Sequence, residues 1–126
     1  SDNHGWLPFG EPNKSVARFP GPHRDNFFSH SQIFFDQLLK LKETASKYNA
    51  SLWVVFNPWP YENTEGTKKF QKELDQFSRQ NQDIYFPFKF ITVWDKDYFG
   101  DEVHLNPKGA VLASERLRNE IMKLVQ

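Results

Sequence analysis

Apolar residues recur at three- and four-residue intervals in three segments of the chain, the spacing of one helix face. The first two segments are residues 31–48 and 64–80, and the third begins at Asn106-Pro107. That pair favours a helix start, because Asn caps the first turn and Pro fits its first position. We therefore predict three amphipathic helices, the first of them ended by Asn49 in a left-handed conformation. The predicted apolar faces are Phe34, Leu38, Leu41, Ala45 and Tyr48 in the first helix, Phe70, Leu74 and Phe77 in the second, and Ala110, Ala113, Leu117, Ile121 and Leu124 in the third.

Short apolar runs between these segments predict strands. Residues 52–56 form a continuous apolar run with β-branched members, typical of a buried strand in a parallel sheet. Residues 83–86 and 90–94 are two further strand candidates, separated by Pro87. The order helix, strand, helix, strand, loop, helix predicts an α/β domain in which a small parallel sheet is flanked by helices. Functional residues of such sheets lie at the carboxyl ends of the strands.

The first 30 residues have a different composition from the rest. They hold three of the six Gly and four of the eight Pro, a density that prevents regular structure. They also carry several large aromatic side chains, which flexible linkers lack. We therefore predict an extended arm over residues 1–30, attached to the surface of a domain formed by residues 31–126. The aromatic residues of this arm are Trp6, Phe9, Phe19, Phe27 and Phe28.

Composition excludes several classes of function. An aromatic content of 17% in 126 residues indicates one folded domain with a hydrophobic core. Sixteen basic residues balance sixteen acidic ones without forming a basic stripe, which argues against nucleic-acid binding. The absence of Cys excludes disulfides and thiol catalysis. His4, His23 and His30 lack the paired spacing of metal ligands, so we expect neither a metal nor another cofactor.

An acid and a histidine stand three residues apart immediately before the third predicted helix. A carboxylate at Asp101 could accept a hydrogen bond from one ring nitrogen of His104 and leave the other nitrogen to act as a base. The pair would then be the base half of a nucleophilic triad. The alternative is a structural loop, in which Asp101 caps a turn and His104 satisfies nearby backbone groups.

The block from Asp101 to Ala110, Asp-Glu-Val-His-Leu-Asn-Pro-Lys-Gly-Ala, resembles the last motif of the SGNH (GDSL-type) hydrolases. The order of elements over residues 31–126 also resembles the second half of that family's flavodoxin-like three-layer fold. The resemblance implies a serine esterase or acyl transferase in which His104 is the general base and Asp101 orients it. It also implies an acyl ester or an acylated glycan as substrate. Many larger relatives modify cell-surface polysaccharides, which implies an extracytoplasmic or membrane-associated setting through an upstream segment.

The chain departs from this family at the nucleophile. Neither a Gly-Asp-Ser block nor the family's Gly and Gly-x-Asn oxyanion blocks occurs in the sequence. Of the local serines, Ser114 falls inside the third helix, and Ser29 and Ser31 flank a helix start, where Ser31 is expected to act as an N-cap. We therefore expect the carboxyl-terminal part of a longer hydrolase-like protein, inactive alone. Its missing half of the sheet would be replaced by the rest of the parent protein or by self-association.

Aromatic and polar side chains at the end of the first predicted strand give a second hypothesis. Asn57, Trp59 and Tyr61 follow that strand and are candidate substrate contacts, since sugars stack on exposed aromatic rings. Core packing is the alternative role for such rings, and we favour it for Trp94. If the dyad is only structural, the chain is a non-catalytic α/β module that binds a glycan or protein partner, which requires Trp59 and Tyr61 to be exposed together.

Overall fold

The computed structural model describes residues 31–60, 64–88, 92–101 and 103–125. Within these residues the chain is α/β, with three α-helices, a two-stranded parallel sheet and one 3-10 helix. The elements are α1 (Ser31–Lys47), β1 (Leu52–Trp53), α2 (Glu65–Gln80), β2 (Ile84–Tyr85), the 3-10 helix (Lys96–Tyr98) and α3 (Pro107–Leu124). The predicted α/β class and the three predicted helices are therefore confirmed.

These residues belong to two compact units. The α1–α2 unit comprises the described residues 31–58, 64–88 and 92, and the α3 unit comprises 59–60, 93–101 and 103–125. The predicted arm, residues 1–30, lies outside the described residues, so its boundary with the domain stays a prediction. In the described parts of the chain, no helix is both long enough and apolar enough to cross a membrane.

Phenylalanine rings form the core of the α1–α2 unit. Phe35 of α1 stacks on Phe77 of α2 with ring centroids 4.8 Å apart, and Phe34 meets Phe70 edge-on at 5.7 Å. Such ring pairs add to the stabilisation from apolar burial alone. Leu74 is completely buried, and the predicted inner face of α2 is confirmed.

The predicted inner face of α1 is only half correct. Leu38 is buried as expected, but Leu41 is exposed and Tyr48 has 80% of its surface exposed. The buried face instead includes Phe35, because its ring stacks against the rings of α2. The end of α1 follows the prediction: Asn49 has a φ of 53°, and the next amide donates back to the carbonyl of Ala45 over 2.9 Å.

The sheet is shorter than the apolar run 52–56 predicted. Leu52 lies opposite Ile84 and Trp53 opposite Tyr85, in parallel register, and one more backbone hydrogen bond continues past β1. Val55 is exposed and the other four residues of the run are only half-buried, so the prediction of a buried strand is wrong. The apolar pattern of residues 52–56 could not show how few of them would find a backbone pairing partner in β2. The strand predicted over residues 90–94 falls partly outside the described residues, and Val93 makes a single parallel bridge within the α3 unit.

The α3 unit is organised around the start of its helix. Asn106 is the N-cap and Pro107 the first helical residue, as predicted. The predicted apolar face of α3 is wrong at its carboxyl end, where Ile121 and Leu124 are exposed. Amphipathic spacing marks a helix but does not ensure that a neighbour covers every turn of it.

Candidate active site

The Asp101–His104 pair lies on a loop whose two ends are joined. We call residues 100–104 the dyad loop; Glu102 within it lies outside the described residues. Phe99 and Leu105 form an antiparallel bridge across its base, and the amide of Gly100 donates to the carbonyl of His104 over 2.9 Å. Phe99 is completely buried and fixes one end of the bridge. The loop is thus held at its base by packing and by backbone pairing.

The carboxylate of Asp101 accepts three hydrogen bonds from inside this loop. Its Oδ1 accepts the backbone N–H of Val103 at 2.9 Å and that of His104 at 2.7 Å. Its Oδ2 lies 2.7 Å from Nδ1 of the His104 ring. One oxygen therefore shapes the turn, while the other holds the imidazole. The same side chain therefore makes the contacts expected of a turn cap and the contact with the ring.

The electrostatics of the loop keep Asp101 ionised. Partial burial by itself raises the pKa of this carboxyl group, but the hydrogen bonds from the Val103 and His104 amides, the bond from the His104 ring and the charge of that ring together outweigh burial and lower the pKa. An ionised carboxylate can only accept hydrogen bonds. The proton between Oδ2 and Nδ1 therefore belongs to the ring, and in a neutral ring Nε2 carries the lone pair.

The ring of His104 is accessible from outside the protein. Its side chain is 55% exposed, and that of Asp101 is 38% exposed. A base must reach the proton that it removes, so an imidazole sealed in the core could not serve. The orientation and the accessibility of the ring are both compatible with general-base chemistry.

The dyad loop is coupled to the start of α3 through Asn106. Its Oδ1 accepts the amide of Gly109 at 2.9 Å, and its Nδ2 donates to the carbonyl of Asp97 at 2.7 Å. The sequence indicated the first of these bonds, because Asn before Pro is a typical N-cap. It gave no signal for the second, whose acceptor is a backbone carbonyl nine residues earlier in the chain.

The other candidate residues are distributed between the two units. Asn57 is exposed after β1 in the α1–α2 unit, and Trp59 is half-buried in the α3 unit, where its carbonyl accepts the amide of Trp94 at 2.9 Å. Tyr61 lies outside the described residues, so the paired platform of Trp59 and Tyr61 stays a prediction. Trp94, for which we favoured core packing, is half-buried, and its ring meets Tyr98 edge-on at 5.6 Å.

The serines weighed as local nucleophiles differ in position. Ser114 lies inside α3, where the sequence predicted it. Ser31 is the first residue of α1 rather than the residue before it, so its predicted N-cap position is wrong by one. Ser29 and the histidines His4, His23 and His30 lie outside the described residues. Among the described residues, no group of three or more His, Asp or Glu side chains could hold a metal ion.

Comparisons with protein-family models, with curated proteins and with solved structures found no match for this chain.

Proposed function

We propose that Asp101 and His104 are the base half of an SGNH-type acyl-transfer site, in a serine esterase or acyl transferase whose attacking hydroxyl comes from outside these 126 residues. One observation carries the proposal: the 2.7 Å hydrogen bond from the His104 ring to the Asp101 carboxylate, in a ring that is more than half exposed. The D-x-x-H-L-N-P block and its position directly before a helix support the choice of family.

In the proposed reaction, Nε2 of His104 removes the proton of the serine hydroxyl as the oxygen attacks an ester carbonyl. Asp101 stays ionised and accepts the hydrogen bond from Nδ1–H, and its negative charge stabilises the imidazolium as it forms. The protonated ring then gives its Nε2 proton to the departing alcohol, leaving an acyl-enzyme. A water or a sugar hydroxyl, deprotonated by the same nitrogen, then attacks the acyl group. The ring returns that proton to the departing serine oxygen, which restores the serine hydroxyl and the neutral imidazole.

The base role can be tested on the chain itself. Diethyl pyrocarbonate acylates an unprotonated imidazole nitrogen, and peptide mapping by mass spectrometry isolates the reaction at His104 from that at the other three histidines. We expect Asp101→Asn to slow this reaction several-fold for the neutral ring, because Nε2 is a weaker nucleophile once Nδ1–H no longer donates to a carboxylate. Asp97→Asn is the matched control, because it removes another exposed carboxylate of the same unit and leaves the dyad intact. Equal rates for Asp101→Asn and wild type would contradict the proposal.

The missing nucleophile predicts a second result. With a short-chain nitrophenyl ester the chain alone should give no enzymatic turnover above the buffer rate. Turnover that is abolished by Ser31→Ala would place the nucleophile inside the chain and contradict the proposal that the hydroxyl is supplied from elsewhere.

A further inference from the structure

Asn106 is the only polar residue of the described α3 unit whose side chain is completely buried. It connects three segments: the 3-10 helix before the dyad loop, the loop's exit and the first turn of α3. Besides the two side-chain bonds described above, its backbone N–H donates to the carbonyl of Tyr98 over 2.9 Å. Asn106 therefore connects the backbone just before the dyad loop to the backbone just after it.

Capping alone does not require an asparagine. Ser and Asp serve as well at an N-cap, because the helix amides need only an oxygen acceptor. The amide hydrogen that Asn106 donates to Asp97 does something different, since it binds the chain before the dyad loop to the helix after it. The bond is part-buried, but the Asn106 side chain itself is completely buried, so its N–H could not turn to water instead without cost.

We propose that Asn106 is a positioning residue for the Asp101–His104 pair: its buried amide fixes both ends of the dyad loop and so sets the ring of His104 against the carboxylate. The inference rests on the proposed function for its catalytic meaning, whereas the geometry it describes can be measured independently. Loss of the amide donor, with the helix cap retained, is then expected to release the ring.

The test uses NMR on the intact chain, reading the His104 ring nitrogens and the Nδ1 proton. Asn106→Ser keeps an oxygen to cap α3 but removes the donor to Asp97. We expect helix content to remain, while the Nδ1–H signal of His104 exchanges with water about tenfold faster, the scale set by the loss of one intramolecular hydrogen bond. Asn106→Asp repeats the test with an equally strong cap. Thr64→Ala is the matched control, because it removes the N-cap of α2 in the other unit and should leave the His104 signals unchanged.

The outcomes separate the two proposals. A wild-type ring that carries no proton on Nδ1 contradicts the proposed base role, whatever the Asn106 variants do. A wild-type ring protonated on Nδ1, with unchanged exchange in Asn106→Ser and Asn106→Asp, overturns the positioning role alone. Faster exchange in both variants but not in Thr64→Ala supports it.

Discussion

Replacing Gly109 by alanine should destabilise α3, although the same change usually stabilises a helix. Alanine is favoured over glycine inside a helix by about 0.5–1 kcal/mol. At Gly109, however, an added Cβ would overlap the carbonyl oxygen of Tyr98 and lie 3.0 Å from Cδ2 of Leu105. The carbonyl cannot easily withdraw, because it accepts the backbone N–H of Asn106 at 2.9 Å.

The expected size of the effect follows from that contact. Forcing extra carbon into a packed site typically costs about 1–3 kcal/mol, and here the opposing atom belongs to the backbone rather than to a flexible side chain. The overlap should therefore exceed the gain in helix propensity. We expect Gly109→Ala to lower the free energy of unfolding by about 1–3 kcal/mol.

The free energy of unfolding can be measured by urea titration with circular dichroism, in wild type and Gly109→Ala. Ser114→Ala is the matched control, because it also introduces alanine in α3, at an exposed position. Its effect should stay within about 0.5 kcal/mol of wild type. If Gly109→Ala proves as stable as Ser114→Ala, the close approach of α3 to the Tyr98 carbonyl is not a feature of the protein.

Three further predictions concern stability. The hydrogen bonds of the folded protein lower the pKa of Asp101, so its ionised form stabilises the fold. This stabilisation is complete above the ordinary carboxyl pKa and is lost as pH falls through the lowered pKa. Acid should therefore destabilise wild type more than Asp101→Asn, as measured by urea titrations from pH 7 to 2. Leu74→Ala, at a completely buried position, should cost about 2–5 kcal/mol, whereas Leu39→Ala, exposed on α1, should cost less than about 1 kcal/mol by the same measurement. Asn49→Ala should lower the melting temperature, and Asn49→Gly should preserve it, because only glycine matches the tolerance of asparagine for a positive φ.

The helices could be predicted from the sequence because their signals are local. Apolar spacing and end residues such as Asn49 and Asn106 act within a few positions of the chain. The predicted limits of the first two helices and the predicted start of the third lie within one residue of those observed. The extent of the sheet was harder to predict. Pairing depends on a partner strand more than 30 residues away, and β2 offered fewer partners than the run 52–56 could have used.

The candidate site divides in the same way. Spacing placed Asp101 within reach of His104, and the structure contains the hydrogen bond that this spacing allowed. Spacing could not show that the same carboxylate also caps the turn, nor that Asn106 reaches back to Asp97. Those contacts depend on how the chain folds back between the 3-10 helix and α3.

By itself, the sequence determined three helices, the caps at Asn49 and Asn106 and an acid placed to meet a histidine, because each depends on residues within about one or two turns of one another. Tertiary structure alone decided that Phe35 is buried, how short the sheet is and that a buried amide joins the two ends of the dyad loop. Burial and long-range hydrogen bonds depend on atoms brought together from distant positions, and a linear pattern contains no information about those distances.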